Sequence, residues 1–169
     1  MGVPAIKQQL SEQDPTRTSN VSTSNANSKW RLTNYDNSFI DYMSAAFSYI
    51  QKYANATAPP GTEISDVVRM PAPKYDIGSA YWNFSAANSK LAFAGANVVN
   101  DKAGKVFDAI NDIRTHLSEF DQYVVSLQGK PLKQSEVDMF FADFNSCAKD
   151  AYHAESNLVY EAREDLGLN

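Results

Sequence analysis

The side chains able to do chemistry are few, and their spacing serves no known reaction. Two histidines, His116 and His153, a single cysteine, Cys147, and the carboxylates of the C-terminal third make up the reactive set. A dinuclear carboxylate centre in a helical bundle needs Glu-x-x-His pairs on facing helices. Here His116 precedes Glu119, the reverse order, and His153 lies two residues from Glu155, which puts the two on different faces of a helix. His153-Ala154-Glu155 has the His-x-Glu order of zinc deaminases, but that chemistry also needs a Pro-Cys-x-x-Cys segment, which one cysteine cannot supply. Cys147 and His116 would make a nucleophile and base if they met. Cys147, however, recurs at helical spacing with Phe140, Phe144 and Ala151, and a thiol in apolar surroundings has a raised pKa and is inert. The seven glycines are scattered and form no phosphate-cradling loop. Glu161, Glu164 and Asp165 crowd together as a solvated helix end would. The expectation is no catalytic residue, no metal site and no cofactor.

The elements that carry these residues are helical. From Thr33, Tyr35, Phe39, Met43, Ala46, Ile50 and Tyr53 recur in steps of three and four, and Thr33 with Asp36 has the spacing of a helix cap. Pro59-Pro60-Gly61 stops that helix. The linker over 55–75 is long for a bundle connection and is a candidate functional loop. A second helix is expected from about Asp76 into the high nineties, on the stripe Ile77, Ala80, Phe84, Ala87, Leu91, Ala94 and Val98. The third carries Val106, Ile110, Ile113, Leu117, Phe120, Val124 and Leu127, and Gly129 followed by Pro131 ends it. The fourth opens at Ser135 and Asp138 and carries Val137, Phe140, Phe144, Cys147, Ala151, Ala154 and Leu158. Residues 1–29 have no aromatic side chain and are crowded with Ser, Thr, Asn and Gln. Such a segment cannot bury enough apolar area to offset the entropy of ordering, roughly 1–2 kcal/mol per residue for the backbone. The spacing thus predicts an all-α, antiparallel bundle of about four helices over residues 30–169, behind a disordered polar tail over 1–29.

Charge divides unevenly along the chain. Up to Lys105 there are ten basic and eight acidic residues; from Val106 onward there are five basic and twelve acidic, which together give the net −5. An acidic chain repels phosphate, so general nucleic-acid binding is disfavoured, although a local basic patch is compatible with the average. No apolar run approaches the ~18 residues of a membrane span, and Met1 to Leu10 lacks the pattern of a secretory signal, so a cytoplasmic protein is expected. Arg69 and Lys74 gather near the proline-rich linker beside Tyr75 and Trp82, and Trp82 falls off the second helix's apolar stripe. Aromatic residues outside a core stripe suit a protein interface. Arg69, Lys74, Tyr75 and Trp82 on one side, and Glu155, Glu161 and Glu164 on the acidic hairpin, are the candidate interface residues.

The general plan, a polar N-terminal arm before an acidic bundle with one cysteine, resembles the helical coat subunits of rod-shaped and filamentous viruses. That resemblance implies a structural, non-enzymatic subunit that associates with itself. Charge at the two ends of the chain points the same way, toward an acidic hairpin meeting the basic region of the next copy, a head-to-tail contact of the kind that builds rings or filaments. The alternative expectation is a small inhibitor or immunity-type protein whose acidic hairpin docks on one basic protein partner.

Overall fold

A computed structural model describes residues 15–58, 61, 72–94, 97–165 and 167, with side chains described from Lys29 onward except at 93–94. Within them the chain forms four helices, α1 (Pro15–Thr57), α2 (Ile77–Ala94), α3 (Asn97–Ser126) and α4 (Gln134–Asp165). The described residues contain no strand.

Cross-helix partners give the directions. Along α1, Tyr35 meets Phe84 and Tyr42 meets Tyr81, so α2 runs back along it. Tyr81 and Phe84 both reach Phe107 of α3, Phe120 of α3 meets Phe140 of α4, and Phe39 and Phe47 meet Tyr152 and Phe144. Neighbours around the bundle are therefore antiparallel, in an up-down-up-down order. α1 and α3 touch across one diagonal, where Tyr53 meets Phe120, whereas among the described residues α2 and α4 make no contact.

Because α1 faces all three other helices, it buries a wide face. Leu32, Tyr35, Phe39, Tyr42, Met43, Ala46, Ile50 and Ala54 are all covered. α3 buries Val99, Ala103, Val106, Ile110, Ile113, Leu117 and Phe120, steps of four and three without a break. Much of the core is aromatic, with ring centroids 5–6.5 Å apart and mostly tilted or edge-on, the arrangements that ring quadrupoles favour. The α3–α4 turn needs left-handed backbone: Gln128 has φ 51° and Gly129 φ 86°. Glycine adopts that region without a Cβ clash, which is why the helix stops there.

Three boundaries differ from the spacing-based expectation. α1 begins at Pro15 rather than Thr33, so the expected tail over 1–29 divides: residues 1–14 lie outside the described residues, and 15–29 extend the helix. Proline at a first helical position gives up an N–H that has no partner there, and a packed helix propagates backward one residue at a time at small cost. From Lys29, where side chains are described, the first buried one is Leu32. α2 ends at Ala94, so Val98 belongs to α3, where it is exposed rather than part of the α2 stripe. Of the 55–75 linker, 55–57 belong to α1, and 59–60 and 62–71, with Arg69 among them, lie outside the described residues.

The fourth helix is rotated from its expected orientation. Its buried residues are Val137, Phe141, Phe144, Ala148, Ala151, Glu155, Leu158 and Ala162, a run of 4-3-4-3-4-3-4, with Asn145 beside it. Phe140, Cys147 and Ala154 are half-buried on its flank. A carboxylate in the middle of the true stripe hides it from a hydrophobicity pattern, while the neighbouring stripe is apolar throughout.

Candidate functional site

Three of the four exposed aromatic side chains among the described residues, Trp30, Tyr75 and Trp82, gather around α2. Asp76 caps this helix: Oδ1 accepts the Ser79 N–H at 2.9 Å and Oδ2 the Ser79 hydroxyl at 3.0 Å. These bonds, made to the charged form, hold its carboxyl below the usual range. The cap fixes the start of a helix whose two flanks line two recesses.

On the α1 side lies a polar groove of about 500 Å³. Trp30 and Tyr75 stand at it, with Asp41, Asn83, Lys74 and Lys90. Trp30 is 57% and Tyr75 46% exposed, and the Lys90 ammonium sits 5.8 Å from the Trp30 ring centre. That distance is within cation–π range.

On the α3 side is a smaller cleft of about 260 Å³, walled by aromatic rings from α1 and α2 and closed by α3. Tyr81 and Trp82 pack edge to face at 5.5 Å, and Trp82 is 70% exposed. The Arg114 guanidinium lies 3.8 Å over the Tyr81 ring and donates to Asn111 Oδ1 at 3.4 Å. Seven residues on, Asp121 accepts the Tyr49 hydroxyl at 3.0 and 3.1 Å. Burial and that bond to a carboxylate push the Tyr49 phenol up to about 12. Tyr42 also lines the cleft; its residue is fully buried and its hydroxyl has no hydrogen-bond partner. Burial raises its pKa strongly, with the Arg114 charge pulling the other way.

The interface candidates separate in space. Lys74 and Tyr75 stand exposed at the polar groove, Trp82 forms the lip of the aromatic cleft, and Arg69 lies outside the described residues. On α4, Glu164 is exposed and Glu161 half-buried. Glu155 corrects the expectation: it is 8% exposed and turns into the bundle rather than out to a partner. There it faces Asp36 of α1, with Tyr35 and Tyr152 close enough to feel its charge. Burial first, then hydrogen bonding and repulsion from Asp36, push the Glu155 carboxyl up to about 8. Its Oε2 and the buried Tyr35 hydroxyl have no partner.

His116 Nδ1 lies 3.5 Å from Glu119 one turn on, and His153 is exposed. Cys147 is half-buried instead of central, and burial with Asp112, Asp150 and Asp143 raises its thiol. Among the described residues, no three His, Cys, Asp or Glu side chains converge as metal ligands, and no helix is long and apolar enough to cross a membrane. The sequence signal that could have found the α3 side of the cleft is the pair Arg114 and Asp121, two turns apart on the face next to the core stripe. No family model matches the chain, nor does any curated protein or solved structure.

Proposed function

We propose that this chain is a non-enzymatic interaction protein that associates with copies of itself head to tail, as a coat-like structural subunit would. One observation carries the reading: the aromatic and cationic surface of α1–α2 and the outer face of α4 lie on opposite sides of the bundle. α2 and α4 make no contact among the described residues, so one copy can engage a neighbour on each side at once. The outward stripe of α4 runs Met139, Asp143, Ser146, Asp150, His153, Asn157, Tyr160 and Glu164, again in steps of four and three. It carries three carboxylates, no Lys or Arg, and two apolar side chains, Met139 at 49% and Tyr160 at 63% exposure. The opposite side offers Lys74 and Lys90 beside Trp30 and Tyr75, with Trp82 exposed on the other flank of α2. Charges of opposite sign at the rim steer encounter and set register, while desolvated aromatic area supplies most of the affinity. Because the two surfaces differ, the contact is heterologous and propagates unless a ring closes it.

The test is sedimentation velocity over protein concentration and salt. Association is expected to weaken as salt shortens the screening length below about 8 Å. Lys74→Glu with Lys90→Glu should abolish self-association, as should Asp143→Lys with Asp150→Lys. Mixing the two variants should restore association, because the unaltered lysine face of one meets the unaltered acidic face of the other and the two reversed faces are again opposite in sign. A strict monomer at every concentration, or association indifferent to salt and to both reversals, would sink the proposal.

A further inference from the structure

We infer that the polar groove between α1 and α2 binds a short, straight β-1,4-linked oligosaccharide, seated between the Trp30 and Tyr75 rings. A sugar ring has apolar C–H faces and a rim of hydroxyls. Its site must therefore offer flat aromatic surface and clustered polar groups together. Trp30 and Tyr75 both line the groove and are 57% and 46% exposed, so each keeps ring surface open to a ligand. Rings of this kind give large, rigid contact area at small entropic cost. Between them α1 contributes Asn34, Asn37 and Asp41, and α2 contributes Asn83. The three on α1 recur in steps of three and four and so share one helix face. An amide carries donors and an acceptor, and a carboxylate two acceptor oxygens, the set that can hold two adjacent hydroxyls at once. Among the described residues none of these four side chains has a hydrogen-bond partner, which leaves that capacity to a ligand.

Length and shape select the ligand further. Lys90 stands over the Trp30 ring at one end of the groove. Tyr42, next to Asp41, meets Tyr81 near the start of α2, so Lys74 and Tyr75 lie toward the other end. From Trp30 to Asp41 the α1 wall runs about 16 Å at 1.5 Å per residue. Ala86 and Ala87 line the α2 side, where larger side chains would fill the space. The volume of about 500 Å³ lies well inside the range of ligand pockets, and linked rings suit it better than a single one. Equatorial β-1,4 linkages keep a glucan extended and leave C–H faces open on both sides, which fits a groove walled by two antiparallel helices. Asp41 stands against Lys74 and Lys90, so the lining is close to balanced in charge. A neutral ligand meets no opposition there, whereas a nucleic-acid strand would find few cations for its phosphates and one carboxylate.

The probe is cellotriose, titrated into the full chain carrying Trp82→Phe, which leaves Trp30 as the one tryptophan. Its fluorescence should respond saturably, with half-saturation below about 1 mM. By calorimetry on the otherwise unaltered chain, Trp30→Ala, Tyr75→Ala and Asp41→Ala should each weaken binding roughly tenfold, the loss of one stacked ring or one charge-assisted bond. None of the three side chains is buried, so circular dichroism should show helix content unchanged in each variant. Glucose, with one ring, and maltotriose, whose α-1,4 linkages curve the chain, should bind at least tenfold worse than cellotriose. The inference is overturned if cellotriose gives no saturable response up to about 10 mM. It is overturned equally if Trp30→Ala and Asp41→Ala bind as tightly as the wild type, or if a uridine hexanucleotide binds tighter than cellotriose, which would make the groove a nucleic-acid site. An oligosaccharide and a neighbouring copy would compete for this groove. Cellotriose binding should persist in the Asp143→Lys, Asp150→Lys variant, whose groove residues are all in place, so it stands or falls apart from self-association.

Discussion

Replacing Glu155 with glutamine should make the bundle more stable in alkali and leave it unchanged in mild acid. Glu155 is the only buried charged side chain among the described residues, and Asp36 is the carboxylate it meets. When protonated it donates to Asp36; when ionised it is a second negative charge in a dry place beside the first. A carboxyl that keeps its proton up to about 8 rather than 4.5 holds it tighter in the folded chain by about 5 kcal/mol, at ~1.36 kcal/mol per pH unit. Asp36 is half-buried and solvent around it screens the pair, which leaves on the order of 2–3 kcal/mol. The sign follows from proton counting. Between the unfolded value near 4.5 and the folded value near 8 the native state holds a proton that the unfolded chain has released, so stability falls as pH rises through that window. Below it both states are protonated and the group contributes nothing; above it the full penalty stands. Glutamine keeps a donor for Asp36 and has nothing to ionise. Urea unfolding followed by circular dichroism, from about pH 4.5 to about 9, should show the two proteins equal at the acid end and the variant ahead by about 2 kcal/mol at the alkaline end. Every other titrating group is common to both, so the difference curve isolates Glu155. Parallel curves, or a variant weaker at the alkaline end, would refute the reasoning.

Three further outcomes follow from the packing. Leu117→Ala and Phe144→Ala, each in the middle of a buried stripe, should cost about 2–5 kcal/mol in chemical denaturation, while exposed His153→Ala stays within about 0.5 kcal/mol. Gly129→Ala should cost about 1 kcal/mol by the same measurement, because φ 86° is strained for any residue with a Cβ. Removing residues 1–28 should leave the thermal midpoint within a few degrees, since that segment has no aromatic side chain and Thr16–Ser28 is almost wholly small and polar.

The helical plan was legible because each core stripe is a periodic signal repeated over many turns. In α3 five of the seven expected residues, from Val106 to Phe120, are the fully buried ones, and Val124 and Leu127 are half-buried where the helix nears its end. α4 shows the limit of the same method. Two stripes one residue apart, 137–140–144–147–151–154–158 and 137–141–144–148–151–155–158, share four members, and only the second is the buried one. The first reads as the better stripe because Ala154 stands where the second has Glu155. What decides between them is the partner: Asp36 and Tyr35 on α1 lie opposite Glu155, and a carboxyl that can keep its proton is tolerable at a core position that a carboxylate could not hold. No pattern within α4 carries that information.

The cleft escaped the sequence for the same reason in stronger form. Tyr42, Tyr81 and Arg114 come from three helices, and each alone has an ordinary role, the first two as aromatic core members and the third as a cation on a helix face. Their relation is set by the register of α2 against α1 and α3, which follows from Phe84 lying between Tyr35 and Phe107. With that contact made, Tyr81 is one turn closer to the helix start, within 6.1 Å of Tyr42 and beneath Arg114. A shift of α2 by one turn would put Ile77 in place of Tyr81, and both the cation's platform and the neighbour of the buried phenol would be lost. The large apolar residue at position 84 thus positions the aromatic cleft, and Phe84→Leu, which keeps the position apolar while thinning its ring contacts with Tyr35 and Phe107, should cost about 1 kcal/mol in urea unfolding and change the fluorescence of Trp82 beside the cleft.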